Sequence, residues 1–353
     1  MFRLLALLQL TRAALAFTAV ADAWAVLLLR LPSQPAYSFL QPLFWLTILK
    51  MVVVAVVSLG LWGFGTALND LLDARRDRLF APRRPIPSGR IKPRSAVVVA
   101  VVLLMGALLA AALLTLIHVW EVSAGPRQIR LRDIVPWSLF FTVATASLLV
   151  FYSATSKYLG GMGLLTLGLI RALHCLIGHP RTPVMFLSMI LLTHVVIVSA
   201  VAYYLENKRP RLNRGDIATI VLGILITNAI LLWYTVTRQQ WLQWSADLLP
   251  MLIGPALAAL AYILWATAIM LNKRMFPRQK GERLMLLGGF WLFLYDASML
   301  LANGQYLAGV AITLLLICAI ASFFVIRWLS RGWVFPRVAF RIERPERIEG
   351  ENT

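Results

Sequence analysis

The sequence predicts an all-α, polytopic transmembrane helix bundle, and three observations predict it. Of 353 residues, 60% are hydrophobic and 14% charged, against roughly 25% charged residues in a soluble domain. Mean hydropathy is +0.78, and apolar runs of ~18 or more residues, long enough to cross a hydrocarbon core as helices, recur along nearly the whole chain. The charges gather in short segments between those runs, so the chain reads as one integral membrane domain, 1–335, followed by a charged tail, 336–353.

Hydropathy and helix breakers together set ten candidate spans. The first, 10–30, follows Arg3 and continues to about Leu31 with no small-residue cleavage site, so an uncleaved first span is expected rather than a signal peptide. Next come 43–68, ending before an acidic run, then 96–119, 136–155 and 159–178. The remainder are 184–205, 216–237, 250–272, 284–301 and 305–329, the last two divided only by Asn303-Gly304, a tight hairpin or a kink.

A net charge of +19 would suit nucleic acid, but the basic residues are accounted for by the positive-inside rule. Alternate connections carry 26 Lys and Arg on the side of the N-terminus, 69–95 and the tail, against 6 on the other. That bias places both termini and the 69–95 loop in the cytoplasm of what is read as a bacterial inner-membrane protein, and no nucleic-acid partner is expected. Cys175 and Cys318 both sit in apolar runs, which implies neither a disulfide nor a zinc site. The 12 Trp suit interfacial anchoring.

Chemistry enters at Asn69-Asp70-Leu71-Leu72-Asp73-Ala74-Arg75-Arg76-Asp77, at the cytoplasmic end of the second span. On a continuous helix at about 100° per residue, Asp73 lies about 60° and Asp77 about 20° from Asp70. Three carboxylates on one face repel unless a cation binds, and hard oxygen ligands suit Mg²⁺, which commonly joins one or two carboxylates to substrate phosphates. Mg²⁺ on a diphosphate neutralises the leaving group and lets an allylic C–O bond ionise. The apolar bundle would hold an isoprenoid tail and exclude water. The competing reading is a solvated loop of mixed charge, because Arg75, Arg76 and Arg78 interleave with the acids.

The downstream run Arg83-Arg84-Pro85-Ile86-Pro87-Ser88-Gly89-Arg90-Ile91 decides between them. Together with the acidic run it resembles the first signature of the UbiA-type intramembrane prenyltransferase superfamily. Phe17–Asp22, Tyr152–Lys157 and Gly168–Gly178 are similar to the branch containing EboC-like proteins. The resemblance implies a bundle, usually of nine spans, around a central cavity capped by cytoplasmic loops, so nine or ten spans are expected. It further implies that Asp70, Asp73 and Asp77 bind Mg²⁺ and the diphosphate, with Asn69 completing the set. Lys157 stands where the family sets a basic residue against the diphosphate, and Arg171 at a polar cavity position. A prenyl diphosphate donor and an acceptor, aromatic or lipid, are the implied partners within the lipid bilayer.

The family's second acidic motif is degenerate here: between Tyr203 and Asp216 only Glu206 and Asp216 are acidic. Either Glu206 holds a second Mg²⁺ alone, or Lys208 and Arg209 donate directly to the phosphates, or the site has decayed. Asp22, in the first span, is expected to line the cavity rather than be satisfied by a neighbouring helix. Arg171 either does so or pairs with an intramembrane acid for structural reasons. Asp296 is expected to be a packed group far from the site, and His118, His174, His179 and His194 to be structural, since they share no spacing.

Rival classes are a non-catalytic or chemically altered relative, a secondary transporter, which would show an internal repeat, and a CDP-alcohol phosphotransferase. No repeat is evident, and Asp73-Ala74-Arg75 echoes only a fragment of the last signature.

Overall fold

The structure, a computed structural model, describes residues 2–29, 42–82, 84–124, 135–178, 185–208, 210–238 and 244–332. The tail 336–353, Arg83, His179, Arg209 and Arg30, Arg127, Arg130, Arg132 and Arg181 of the charge count lie outside them. Among the described residues there are twelve α-helices and no strand: α1 Phe2–Leu10, α2 Ala13–Leu28, α3 Pro42–Leu72, α4 Ala74–Phe80, α5 Pro93–Ala124, α6 Trp137–Ala154, α7 Gly161–Cys175, α8 Phe186–Leu205, α9 Arg214–Arg238, α10 Trp244–Leu271, α11 Pro277–Ala302 and α12 Tyr306–Gly332. Backbone polar groups have no water to bond in hydrocarbon, so a spanning chain satisfies them within each segment.

Eight of these helices (α3, α5, α6 and α8 to α12) are long and apolar enough to cross a membrane, while α2 and α7 are shorter apolar helices. The protein is an integral membrane helix bundle, with ten apolar segments where hydropathy sets ten spans. Its outer surface is apolar, as a lipid-facing wall must be: Leu109, Leu225, Trp233, Leu257, Leu307 and Leu314 are all well exposed.

The first span starts later than expected, and the last two are divided by one of the two expected means. The first begins at Ala13, because Arg12 takes a left-handed conformation (φ 46°, ψ 44°) that separates α1 from α2. The final pair is a true hairpin: α11 stops at Ala302, Gly304 turns at φ 71°, and the Gln305 N–H donates to Leu300 O at 2.9 Å.

Helix α2 lies at the centre, packed against α3, α7, α11 and α12. Ala19, Val20, Ala21, Ala23, Ala25 and Val26 are buried around its whole circumference, as befits a helix apolar on every side, and its alanines let the neighbours approach closely. Around it, α3 packs on α5 and α6, α6 on α7, α7 on α8 and α9, and α8 on α11. The interior that results opens at the end where α3 meets α4.

That end is tied together at Gly160-Gly161. Gly160 has φ 49°, and a Cβ there would stand 2.4 Å from the Asp216 carboxylate. The Gly161 N–H donates to Asp216 Oδ1 at 2.8 Å, while Asn213 and Asp216 exchange backbone-to-side-chain hydrogen bonds of 2.9 and 2.8 Å at the start of α9. Asp216 is thereby spent on capping α9 and anchoring α7. The short 3₁₀ turn Ser156–Tyr158 is left pointing at the α3–α4 junction.

Candidate active site

The acidic run occupies a helix junction. Helix α3 ends at Leu72, Asp73 adopts φ −82°, ψ −2°, and α4 resumes at Ala74. The i to i−4 hydrogen bonds persist across the break, from Asp73 N–H to Asn69 O (2.9 Å) and from Asp77 N–H to Asp73 O (2.8 Å). All three carboxylates are therefore carried on one nearly continuous turn and all are buried.

They do not converge on one point. Asp77 Oδ2 accepts from Arg84 at 2.6 Å, and Asp70 Oδ1 lies between Arg84 (3.4 Å) and Arg12 (3.3 Å). Asp73 Oδ1 turns the other way, to Lys157 Nζ at 2.8 Å and the Tyr158 hydroxyl at 3.2 Å. Among the described residues no three His, Cys, Asp or Glu side chains are grouped around a common metal position. The expected single-face convergence is thus corrected: Asp70 and Asp77 share a face and one arginine, while the break turns Asp73 towards a lysine. Each carboxylate is neutralised by a cation of the protein, which is how buried charge is tolerated.

Asn69 links this layer to the interior. Its Oδ1 accepts from Lys157 at 3.1 Å, and it lines a cavity of about 400 Å³ with Arg12, Trp62, Leu149, Arg171 and His174. Asp70, one residue on, faces a shallower depression of about 460 Å³ lined by Gln9, Arg12, Phe80, Arg84 and Arg90. The acidic layer therefore separates a membrane-embedded, largely apolar cavity from a basic surface recess, with Arg12 and Lys157 beside it. In that position the layer can hold a polyanion while a tail attached to it enters the cavity.

Residues 16–125, which carry α2, α3, the acidic layer and α5, match the model of the UbiA prenyltransferase family. Over this segment the chain is similar to that family. Curated relatives named digeranylgeranylglyceryl phosphate synthase are similar over shorter stretches. That of Methanopyrus kandleri is 53% identical over 49 residues, 14% of this chain and 17% of the relative. That of Methanothrix thermoacetophila is 43% identical over 63 residues, 18% of this chain and 24% of the relative. The chain thus spans under a quarter of these relatives' length in the matched stretches. The bundle resembles a solved structure of digeranylgeranylglyceryl phosphate synthase in membranes, at 18% identity and a TM-score of 0.54, covering 86% of this chain and 100% of that one. That likeness concerns the fold.

Several expectations for individual residues change. Asp22 does not line the cavity: it is fully buried and forms an ion pair with Arg171. Arg171 itself lines the cavity and sets its guanidinium 6.0 Å from the Trp62 ring centroid. Asp296 is not remote: it is fully buried and interacts electrostatically with Asp22 and Arg171, so α2, α7 and α11 meet at three buried ionisable groups. The physical reason is cost: a lone intramembrane charge finds a partner before it faces an apolar space. Glu206 is paired with Lys208 at 2.9 Å and packs against Gly281 of α11, and Lys208 is half exposed. The structure brings neither into contact with the acidic layer among the described interactions.

Other site residues escaped sequence reasoning. Arg12 looked like one basic residue of the N-terminal segment, although it lies where two apolar helices meet. His174 and His194 both line the cavity; His194 Nε2 donates to Gly288 O (3.1 Å), and its Nδ1 is hydrogen-bonded to the Tyr295 hydroxyl (3.0 Å). Their signal was available only in part, for His174 falls one helical turn after Arg171.

Proposed function

We propose that this protein transfers a prenyl group from a prenyl diphosphate to an acceptor within the membrane, with Mg²⁺ as cofactor. The observation that carries the reading is the buried layer of Asp70, Asp73 and Asp77 above an apolar cavity, each acid matched by Arg12, Arg84 or Lys157. The donor set fits Mg²⁺: it consists of carboxylate oxygens and the Asn69 amide oxygen, all hard donors. Asp70 and Asp77 from the face they share, and Asp73 with Asn69 from the other, would hold Mg²⁺, which when bound supplies charge neutralisation to the departing diphosphate. Glu206 is left out of the set, because its described contacts are with Lys208 and Gly281 and none is with the acidic layer.

The remaining steps belong to the chain's own residues. Lys157, Arg12 and Arg84 present cations to phosphate oxygens, so charge gathering on the leaving group is stabilised as the allylic C–O bond breaks with its electron pair. Leu61, Leu149, Leu167, Val195, Val198 and Leu292 line the cavity and would keep water from an allylic cation. An electron-rich acceptor atom then forms the new bond and gives up its proton. The name shared by the curated relatives, digeranylgeranylglyceryl phosphate synthase, supports a lipid product for those proteins.

Purified protein incubated with Mg²⁺, membrane lipid extract and labelled prenyl diphosphates of several lengths should yield a labelled lipid product. No product at any length would leave a non-catalytic relative as the reading. Lys157→Ala should weaken prenyl diphosphate binding by about tenfold or more, given that charge-assisted hydrogen bonds contribute ~1.5–3 kcal/mol. Unchanged affinity would reduce Lys157 to a residue that merely ties Asp73 to the 3₁₀ turn.

The 26-to-6 distribution of Lys and Arg supports an orientation with the acidic layer and both termini in the cytoplasm. A cysteine at Phe80, which is well exposed, and another in the C-terminal tail should then label from the same side. Labelling from opposite sides would overturn the orientation.

A further inference from the structure

Asp216 stands in the stretch of the degenerate second acidic motif, and the prenyl-transfer chemistry leaves it unused. Its two carboxylate oxygens serve different helices. Oδ2 accepts from the Asn213 N–H at 2.9 Å while Asn213 Oδ1 accepts from the Asp216 N–H at 2.8 Å, a reciprocal cap at the start of α9. Oδ1 leaves that helix and accepts from the Gly161 N–H at 2.8 Å. Gly161 is the first residue of α7, so its N–H is one of the donors that a helix cannot pair internally. A carboxylate there also meets the positive end of the helix dipole. One side chain thus fixes the start of α9 against the start of α7, although the cap of α9 needs only Oδ2.

The contact is close and its slack is small. A Cβ on Gly161 would stand 2.4 Å from Asp216 O, and one on Gly163 would stand 2.5 Å from Ser156 O. Around Gly161 the chain is a run of tight turns. The Tyr158 N–H donates to Thr155 O (3.1 Å), Leu159 to Ser156 O (2.9 Å), Met162 to Leu159 O (3.1 Å) and Gly163 to Gly160 O (3.1 Å). Bonds of three-residue reach wind the backbone tightly, so a shift at Gly161 is carried to Ser156–Tyr158. That turn meets the acidic layer. Lys157 Nζ donates to Asp73 Oδ1 at 2.8 Å and to Asn69 Oδ1 at 3.1 Å, and the Tyr158 hydroxyl donates to Asp73 Oδ1 at 3.2 Å. The Lys157 side chain is only 9% exposed, so its flexible stem is held by where the turn stands.

Building on the prenyl-transfer reading, we infer that Asp216 is a positioning residue for that reaction: through Gly161 it holds the Ser156–Tyr158 turn and so sets the Lys157 ammonium against the diphosphate. In this role Asp216 touches neither substrate nor metal, since each of its oxygens accepts from a backbone N–H. A stretch without paired acids thereby serves the diphosphate by aiming a cation rather than by binding one. Misplacing a group by ~1 Å from a distance can cost as much as ~10²-fold, which sets the scale of what such a hold is worth.

Two measurements on the full-length protein in detergent test it. In the first, an amine-acylating reagent labels the lysines and mass spectrometry follows Lys157. Asp216→Ala should speed its labelling severalfold. Asn213→Ala, which removes one half of the α9 cap and keeps the Gly161 bond, should not. In the second, a labelled prenyl diphosphate is bound in Mg²⁺. Asp216→Ala should weaken binding about fivefold or more, add nothing once Lys157 is alanine, and contrast with Asn213→Ala, which should bind as wild type does. Asp216→Asn, which keeps the size and one acceptor oxygen, should show both effects in smaller measure and serves if the alanine variant does not fold. Unchanged Lys157 labelling, equal losses in Asn213→Ala, or an effect of Asp216→Ala that multiplies with that of Lys157→Ala would overturn the inference, the last being what a metal ligand gives. Lys157 labelling that responds as expected in a protein that binds no prenyl diphosphate would uphold the hold on Lys157 and overturn the prenyl-transfer reading.

Discussion

Asp73→Asn is expected to lower prenyl transfer by roughly 10²–10³-fold, equivalent to ~3–4 kcal/mol of transition-state stabilisation. Asn keeps the size of the side chain and is a good residue at a helix N-terminus, where Asp73 precedes α4. Lys157 would retain Asn69 Oδ1 as an acceptor at 3.1 Å. The fold should therefore survive, and the loss should report the missing carboxylate charge towards Mg²⁺ and diphosphate. Single-turnover rates with saturating donor measure it. A variant within threefold of wild type would remove Asp73 from the chemistry and leave it as a counterion that positions Lys157.

The second large effect concerns stability. Arg171→Leu leaves Asp22 and Asp296, both fully buried, facing each other in the middle of the bundle without a cation. Breaking a buried ion pair from one side costs ~3–5 kcal/mol, whereas replacing the whole set by neutral groups can cost little. The single variant should thus melt well below wild type in detergent, and Arg171→Leu combined with Asp22→Asn and Asp296→Asn should recover most of the difference. A single variant as stable as wild type would contradict the described pairing. The combined variant also separates packing from catalysis, since the acidic layer is untouched.

What the sequence made legible follows from which interactions are local. Ten apolar segments could be read from hydropathy because each span must satisfy its own backbone, and the split at Asn303-Gly304 stands as a hairpin. Asp70 and Asp77 were legible as a pair because seven residues are nearly two full helical turns. The turning away of Asp73 was not, since it depends on a break of one residue and on Lys157, 84 residues later in the chain. Asp22, Arg171 and Asp296 come from three helices, and spacing within one helix says nothing of which partners meet. Arg12 was hidden for a related reason: its left-handed backbone, not its charge, puts it beside Asp70. The degenerate second motif could be read as degenerate, yet only the fold shows what its acids do instead. Asp216 caps α9 and holds Gly161, and Glu206 is taken by Lys208.

The central claim is that the layer of Asp70, Asp73 and Asp77 is a Mg²⁺-dependent diphosphate site above a tail-binding cavity. The most direct test is equilibrium binding of a labelled prenyl diphosphate to the purified full-length protein, in Mg²⁺ and again in excess chelator. Binding should require Mg²⁺, return when the ion is restored after chelation, and vanish in the protein with all three aspartates changed to asparagine. Binding that is equally tight in chelator, or undetectable in Mg²⁺, would contradict it.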